Sequence, residues 1–132
     1  MSAESVVTRR MTVSHSLPEP RAGAATLAVE RHDRGSSAEI TLIGDIDLDS
    51  ASLVLRALTR CLLDGARTID VELTHVGFCD CSGLSAFLDA FQRAAAIGAS
   101  VRLHHPAPPV ARLLALTGTG SLLLAPQPAR PR

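Results

Sequence analysis

One short stretch of the sequence concentrates side chains that can do chemistry. Cys79, Asp80, Cys81 and Ser82 place a carboxylate, two thiols and a hydroxyl within four positions. A carboxylate or hydroxyl at a helix start accepts hydrogen bonds from the free amides of the first turn. The same end of a helix favours negative charge. The stretch therefore presents a small hydroxyl, Ser82, at a place that tolerates a phosphate group.

A strand and a helix are predicted to hold this stretch. Residues 68–73 alternate between apolar and polar side chains, which is typical of a half-buried strand. After the stretch, apolar residues recur at helical spacing, which predicts an amphipathic helix that starts at about Ser82 or Gly83 and ends at Gly98. The apolar residues in question are Leu84, Phe87, Leu88, Phe91 and Ala95.

Length and composition limit the kind of protein this is. A chain of 132 residues has room for one domain with one core. Aromatic residues make up only 2% of the chain, so Leu, Val, Ile and Ala must build a core in which Phe78, Phe87 and Phe91 are the large fillers. The formal net charge is zero, and the chain contains no Lys, so all of its Lys/Arg residues are Arg. A net charge of zero argues against a nucleic-acid surface driven by bulk charge.

Cysteine usage and hydropathy indicate the cellular compartment. The three cysteines are Cys61, Cys79 and Cys81, an odd number without the spacing of a secreted disulfide framework. No apolar stretch reaches the length that crosses a bilayer. We therefore expect a cytoplasmic protein without membrane insertion.

The rest of the chain predicts one α/β domain between two tails. Residues 1–25 and the Pro-rich residues 125–132 are expected to be flexible tails, and residues 26–124 the folded domain. Its predicted elements are strands at residues 26–30, 39–44, 68–73 and 100–104, a first helix N-capped by Asp49 or Ser50, the helix from about Ser82, and a last short helix at residues 110–117. The pattern indicates a mixed four-stranded sheet, an antiparallel first hairpin followed by parallel crossovers, with about three helices mainly on one face.

Two polar loops are expected to be neighbours in this fold. The loop 45–49 and the loop 79–83 each follow the carboxyl end of a predicted strand. In sheets with parallel crossovers, such ends meet at one edge, where ligand and signal sites lie.

Residues of these types could also support three other chemistries, namely calcium binding, zinc binding and nucleophilic catalysis. Alternate carboxylates at Asp45, Asp47 and Asp49 suggest calcium, but the loop lacks the glycine turn and the distal Glu of a calcium site. His104 and His105 lack a Cys partner at zinc-finger spacing, which makes a solvated strand end the better interpretation. A nucleophilic thiol at residue 81 lacks a base and an orienting group to complete a triad. We therefore expect no metal, no cofactor and no enzymatic activity.

Two motifs resemble a known family. Gly44-Asp45-Ile46-Asp47 before the first helix, and Phe78-Cys79-Asp80-Cys81-Ser82-Gly83-Leu84 before the second, resemble the loops of a STAS domain, closest in size and layout to the stand-alone bacterial anti-sigma factor antagonists. The resemblance spans about residues 26–124 and implies a STAS-like sheet. Here Cys81 replaces the first Ser of the family's pair, Asp45 replaces Glu, and Ser85 stands where Gly is common.

The resemblance implies a function as well as a fold. In that family the Ser directly before the Gly is phosphorylated by an anti-sigma factor that is also a serine kinase, and here that residue is Ser82. The expected partner is thus an anti-sigma factor, bound while Ser82 is unphosphorylated, with no direct nucleic-acid contact. The residues expected to contact it are Asp45, Asp47, Asp49, Asp80, Cys81, Gly83 and Ser85.

Two other interpretations remain open at this point. The same type of domain occurs as a non-phosphorylated accessory subunit of membrane transport complexes, where it contacts an ATPase. On the residue alone, Ser82 could simply be a helix N-cap, the commonest role of Ser at a helix start.

Overall fold

Nine elements follow one another in the computed structural model, which describes residues 6–14 and 26–125. The strands are β1 (Val6–Ser14), β2 (Thr26–Arg34), β3 (Ser37–Ile46), β4 (Thr68–Cys79) and β5 (Ser100–His104). The helices are α1 (Leu48–Leu63), α2 (Cys81–Ala96), α3 (Pro108–Thr117) and α4 (Gly120–Leu123). The strands form one sheet in the order β1-β2-β3-β4-β5.

The pairing of the strands is mixed. β2 is antiparallel to both β1 and β3, whereas β4 is parallel to both β3 and β5. The connections β3-α1-β4 and β4-α2-β5 are therefore parallel crossovers, and α1 and α2 pack against each other. The predicted mixed sheet, with its antiparallel first hairpin and its parallel crossovers, is confirmed as β2 to β5.

An additional edge strand lies in a segment that the sequence patterns assigned to a tail. β1 pairs with β2 over nine residues, with Met11 opposite Val29 and Val13 opposite Leu27. The prediction of a flexible tail over residues 1–25 is therefore wrong for residues 6–14, and the sheet has five strands in the described part of the chain. The physical reason is that β2 offers a row of unpaired backbone N–H and C=O groups along its free edge. Residues 1–5, 15–25 and 126–132 of the predicted tails lie outside the described residues.

Aliphatic side chains build the core, as the composition predicts. Ile40, Leu42, Ile69, Val71 and Leu73 of the two central strands are fully buried, together with Val54, Leu58 and Cys61 of α1 and Ala90 and Ala94 of α2. Phe87 of α2 is buried among them and Phe91 packs partly against them. Phe78 is not in the core, so its prediction as a core filler is wrong.

β4 continues past the point where its alternation stops. The pattern predicts an end at Leu73, but the strand runs to Cys79. Its pairing with β3 slips twice, between Thr41 and Ile43 and between Gly44 and Asp45, and each slip adds one residue to β4. Such β-bulges shift the buried face by one position, so the buried residues after Leu73 are Val76 and Cys79, at a spacing of three.

Candidate functional site

The two polar loops meet at the carboxyl ends of β3 and β4. Ile46 is the strand partner of Cys79, and the amide of Asp80 donates a hydrogen bond of 3.1 Å to the carbonyl of Ile46. α1 begins two residues after Ile46, and α2 begins two residues after Cys79. The predicted proximity of the two loops is confirmed, because paired strand ends carry the starts of both helices to one edge of the sheet.

Asp80 is the N-cap of α2. Its carboxylate accepts hydrogen bonds from the amides of Ser82 at 2.9 Å and Gly83 at 3.1 Å. α2 therefore starts at Cys81, one or two residues earlier than the predicted start at Ser82 or Gly83, and Ser82 occupies its second helical position. The interpretation of Ser82 as a helix cap is wrong, because Asp80 already satisfies the free amides of the first turn.

The hydroxyl of Ser82 has no structural task in the described part of the chain. The side chain is half-buried, and among residues 26–125 its oxygen makes no hydrogen bond. Cys81 and Ser85 on the same helix are exposed. The start of α2 thus presents an unengaged hydroxyl between an exposed thiol and an exposed second hydroxyl.

Gly83 lets α2 approach the strand ends. A Cβ atom at this position would lie 2.6 Å from the Sγ atom of Cys79 and 2.6 Å from the Cγ2 atom of Ile46. Glycine is therefore required for this close contact. Because Gly83, a predicted partner contact, is buried, the structure gives it a positioning role for Ser82.

The two thiols of the loop differ in environment. Cys79 is buried, and this burial, together with the charges of Asp80 and Cys81, raises the pKa of its thiol to about 12. A thiol with such a pKa stays protonated near neutral pH and is a poor nucleophile. Cys81 is exposed, and no histidine hydrogen-bonds to it within the described residues. The arrangement needed for a cysteine nucleophile is thus absent from the described part of the site.

Asp47 caps α1 in a capping box. Its carboxylate accepts from the amide of Ser50 at 3.1 Å, while its own amide donates to the Ser50 hydroxyl at 3.0 Å. The prediction of Asp49 or Ser50 as the N-cap is wrong, since the helix starts earlier, at Leu48. Ser50 also donates to the carbonyl of Asp45 at 3.3 Å, which ties the loop to the helix.

The carboxylates of the site form an acidic rim, which we define as Asp45, Asp47, Asp49 and Asp80. Asp45 and Asp49 are exposed, whereas Asp47 and Asp80 are half-buried caps. Within residues 26–125, no group of three or more potential ligand side chains is placed to hold a metal ion. Asp47 and Asp80 of the rim cap α1 and α2, and Asp45 and Asp49 add exposed negative charge.

Two apolar side chains at the rim were missed by the sequence interpretation. Leu48, the first residue of α1, is 74% exposed, and Phe78, the strand partner of Asp45, is 49% exposed. The sequence contained a signal for the exposure of Leu48, because Leu48 lies between Asp47 and Asp49, two polar neighbours at a helix start. Phe78 carried no such signal, since its exposure depends on the second bulge of β4.

Comparisons with known proteins place this geometry in context. The family described as "Mlab, STAS domain" matches residues 29–125. Among solved structures, an anti-sigma factor antagonist from Mycobacterium paratuberculosis is similar at 18% identity and a TM-score of 0.68, over 77% of this chain and 87% of that one. A search of curated proteins finds no significant match.

The anti-sigma factor antagonist SpoIIAA is similar in two states. Its unphosphorylated form matches at 21% identity and a TM-score of 0.61, over 70% of this chain and 82% of that one. The phosphorylated form of the Bacillus protein matches at 20% identity and a TM-score of 0.55, over 70% and 85%. At these identities the likeness shows the fold.

No helix among the described residues is long and apolar enough to span a membrane. The sheet order, the crossovers and the two loops agree with the match over residues 29–125, which is most of the chain. This protein therefore belongs to the STAS domain family.

Proposed function

We propose that this protein is an anti-sigma factor antagonist switched by phosphorylation of Ser82. In the unphosphorylated state it binds an anti-sigma factor of the serine kinase type, and phosphorylation ends that binding. The observation that carries the proposal is that Asp80 caps α2, while the Ser82 hydroxyl makes no hydrogen bond among residues 26–125. A hydroxyl that a helix needed as its cap would be a costly phosphate acceptor, because phosphorylation would break the cap.

The electrostatics of the site explain how a phosphate would act on binding. A phosphoserine carries about −1.5 to −2 charges at pH 7, and the start of a helix stabilises that charge within the free domain. At the partner surface, however, the phosphate must lose its hydration shell in a contact that accommodates a small neutral hydroxyl. A charge buried in such a contact costs more than one lost hydrogen bond. Binding therefore falls while the fold persists.

Direct kinase labelling tests the proposal. Anti-sigma factor kinases encoded in the same genome are purified and incubated with the full chain and ATP. The modified residue is then located by mass spectrometry. We expect the label on Ser82 and none in the Ser82→Ala variant, with Ser85→Ala as the matched control because Ser85 is exposed on the same helix. A label confined to Ser85 or to residues 1–25 would contradict the proposal.

Binding measurements give the second half of the test. Ser82→Ala should bind the kinase and stay bound in the presence of ATP, whereas Ser82→Asp should bind at least about tenfold more weakly, a difference of about 1.4 kcal/mol. If no kinase binds or labels the wild-type chain, the proposed function fails. Constitutive binding to an ATPase without any label on Ser82 would instead support an accessory subunit of a membrane transport complex.

A further inference from the structure

We propose that Leu48 and Phe78 are the apolar anchors by which the protein binds its partner, and that the partner receives them in an apolar pocket flanked by basic side chains. This inference rests on the proposed function, because it describes the surface on which the Ser82 switch acts. We call the two residues the anchor pair.

The exposure of Phe78 is unusual for this chain. The chain contains three aromatic residues, all of them Phe. Phe87 is buried and Phe91 packs against the core, whereas Phe78 is half exposed near the carboxyl end of β4. A half-exposed aromatic ring leaves apolar surface in water, which contact with a partner would remove. Aromatic residues in such positions are frequent among the residues that dominate binding energy.

The position of the anchor pair links it to Ser82. Phe78 lies two residues before the α2 cap, Asp80, and pairs across the sheet with Asp45. Leu48 directly follows the α1 cap, Asp47. Ile46 and Cys79 are strand partners, so both residues of the pair lie within two positions of the point where the ends of β3 and β4 are joined.

Other exposed apolar residues do not share this position. Leu63 is 74% exposed at the far end of α1, and Leu116 is 78% exposed near the far end of α3. Single exposed leucines of this kind are normal on protein surfaces. They therefore serve as matched controls for Leu48, with equal exposure but a different location.

The charge around the anchor pair defines the partner. Asp47 and Asp49 are the sequence neighbours of Leu48, and Asp45 is the strand partner of Phe78. An apolar centre within a polar border is the usual anatomy of a protein interface, and complementary charge guides association. A second copy of the chain, joined through the same face, would place acidic rim against acidic rim. The surface therefore fits a basic protein surface with an apolar pocket.

Affinity measurements test the anchor pair. The probe is the purified anti-sigma factor kinase that labels Ser82, and its Kd for the full chain is measured by calorimetry. We expect Phe78→Ala to weaken binding about 30-fold and Leu48→Ala about tenfold, with Leu63→Ala and Leu116→Ala within about twofold of wild type. Thermal unfolding of each variant checks that the fold is unchanged.

The dependence of the association rate on salt concentration tests whether basic side chains flank the apolar pocket of the partner. Raising the salt from about 50 mM to about 500 mM should slow association, because surface charges are screened, and the combined Asp45→Asn and Asp49→Asn substitutions should remove most of this dependence. Association that is insensitive to salt would overturn the basic flank of the pocket.

The outcomes separate the inference from the proposed function. If Leu48→Ala and Phe78→Ala bind within about twofold of wild type, while Ser82→Asp still binds weakly, the anchor pair is refuted and the phosphorylation switch stands. If no kinase binds the wild-type chain, the proposed function is refuted, and the inference that rests on it falls as well.

Discussion

Two serines near helix starts show how differently one residue type is used in this protein. Ser50 is buried in the capping box of α1, where its amide and its hydroxyl both bond to Asp47. Ser82 is the second residue of α2, and Asp80 accepts a hydrogen bond from its amide, whereas its hydroxyl makes no hydrogen bond among residues 26–125. The difference separates a serine that stabilises the fold from a serine whose hydroxyl is available for modification.

This difference predicts that two alanine substitutions change the free energy of unfolding by different amounts. Ser50→Ala should lower the free energy of unfolding by about 1 kcal/mol, the usual value of a lost capping interaction. Ser82→Ala should change it by less than about 0.5 kcal/mol, as at an ordinary surface position. Urea titration of both variants beside the wild type measures the two values. Equal losses would mean that the Ser82 hydroxyl contributes to the cap after all.

At the scale of elements, β4 and β5 are joined by two pairs of histidine and carboxylate. His104 Nε2 lies 2.8 Å from Asp70 Oδ1, and His105 Nδ1 lies 2.9 Å from Glu72 Oε2. The sequence indicated a solvated strand end here, and the structure adds ion-pairing partners to it. His105 has a φ of 55°, a left-handed conformation that few residues other than glycine adopt. Its contact with Glu72 therefore helps to hold the exit from β5.

The Glu72 pair makes a prediction about pH. Burial raises the pKa of Glu72, but hydrogen bonds from Thr74 and His105 and the charge of His105 outweigh it, so the pKa lies below the ordinary value. A lowered pKa in the folded state stabilises the protein above the ordinary carboxylate pKa, and the stabilisation is lost as the pH falls through the lowered value.

The Glu72→Gln variant tests the predicted direction of this pH dependence of stability, with the neighbouring pair of Asp70 and His104 left in place. The variant should be less stable than the wild type near neutral pH, and the difference should shrink as the pH falls below the ordinary carboxylate range. Tm is measured for both proteins across this range. A difference in Tm that grows toward acid would contradict the assignment.

At the scale of the whole molecule, β1 is an edge strand outside the region that the family match covers. The match begins at residue 29, whereas β1 spans Val6–Ser14 and contacts the sheet through β2. The two crossovers and both polar loops lie between β2 and β5. The strand therefore extends a sheet whose core elements are already complete.

Removal of residues 1–14 tests this view. We expect the shortened chain to unfold cooperatively and to bind the same partner, with a reduced free energy of unfolding because the edge of β2 loses its pairing. Removal of residues 126–132 is the control, for which the sequence predicts no loss. Loss of cooperative unfolding without residues 1–14 would show that the core depends on β1.

Much of this protein could be predicted from local patterns. The alternation in residues 68–73, the helical spacing after Ser82 and the break at Gly98 identified the central elements, whereas the predicted break at residues 106–109 is shorter because α3 already begins at Pro108. They also put Ser82 in the first turn of a helix that follows a strand. These signals are reliable because each one arises within a few neighbouring residues, where the side-chain period and the turn residues determine the backbone.

The tertiary structure decided what depends on distant contacts. The bulges of β4 exist only in its register with β3, and they bury Cys79 and expose Phe78. The amide of Asp80 is bonded to the carbonyl of Ile46, a contact between the two loops that no local pattern contains. β1 pairs because the edge of β2 is free, a property of the whole sheet. In each case the deciding energy comes from backbone pairing or packing between segments far apart in the chain.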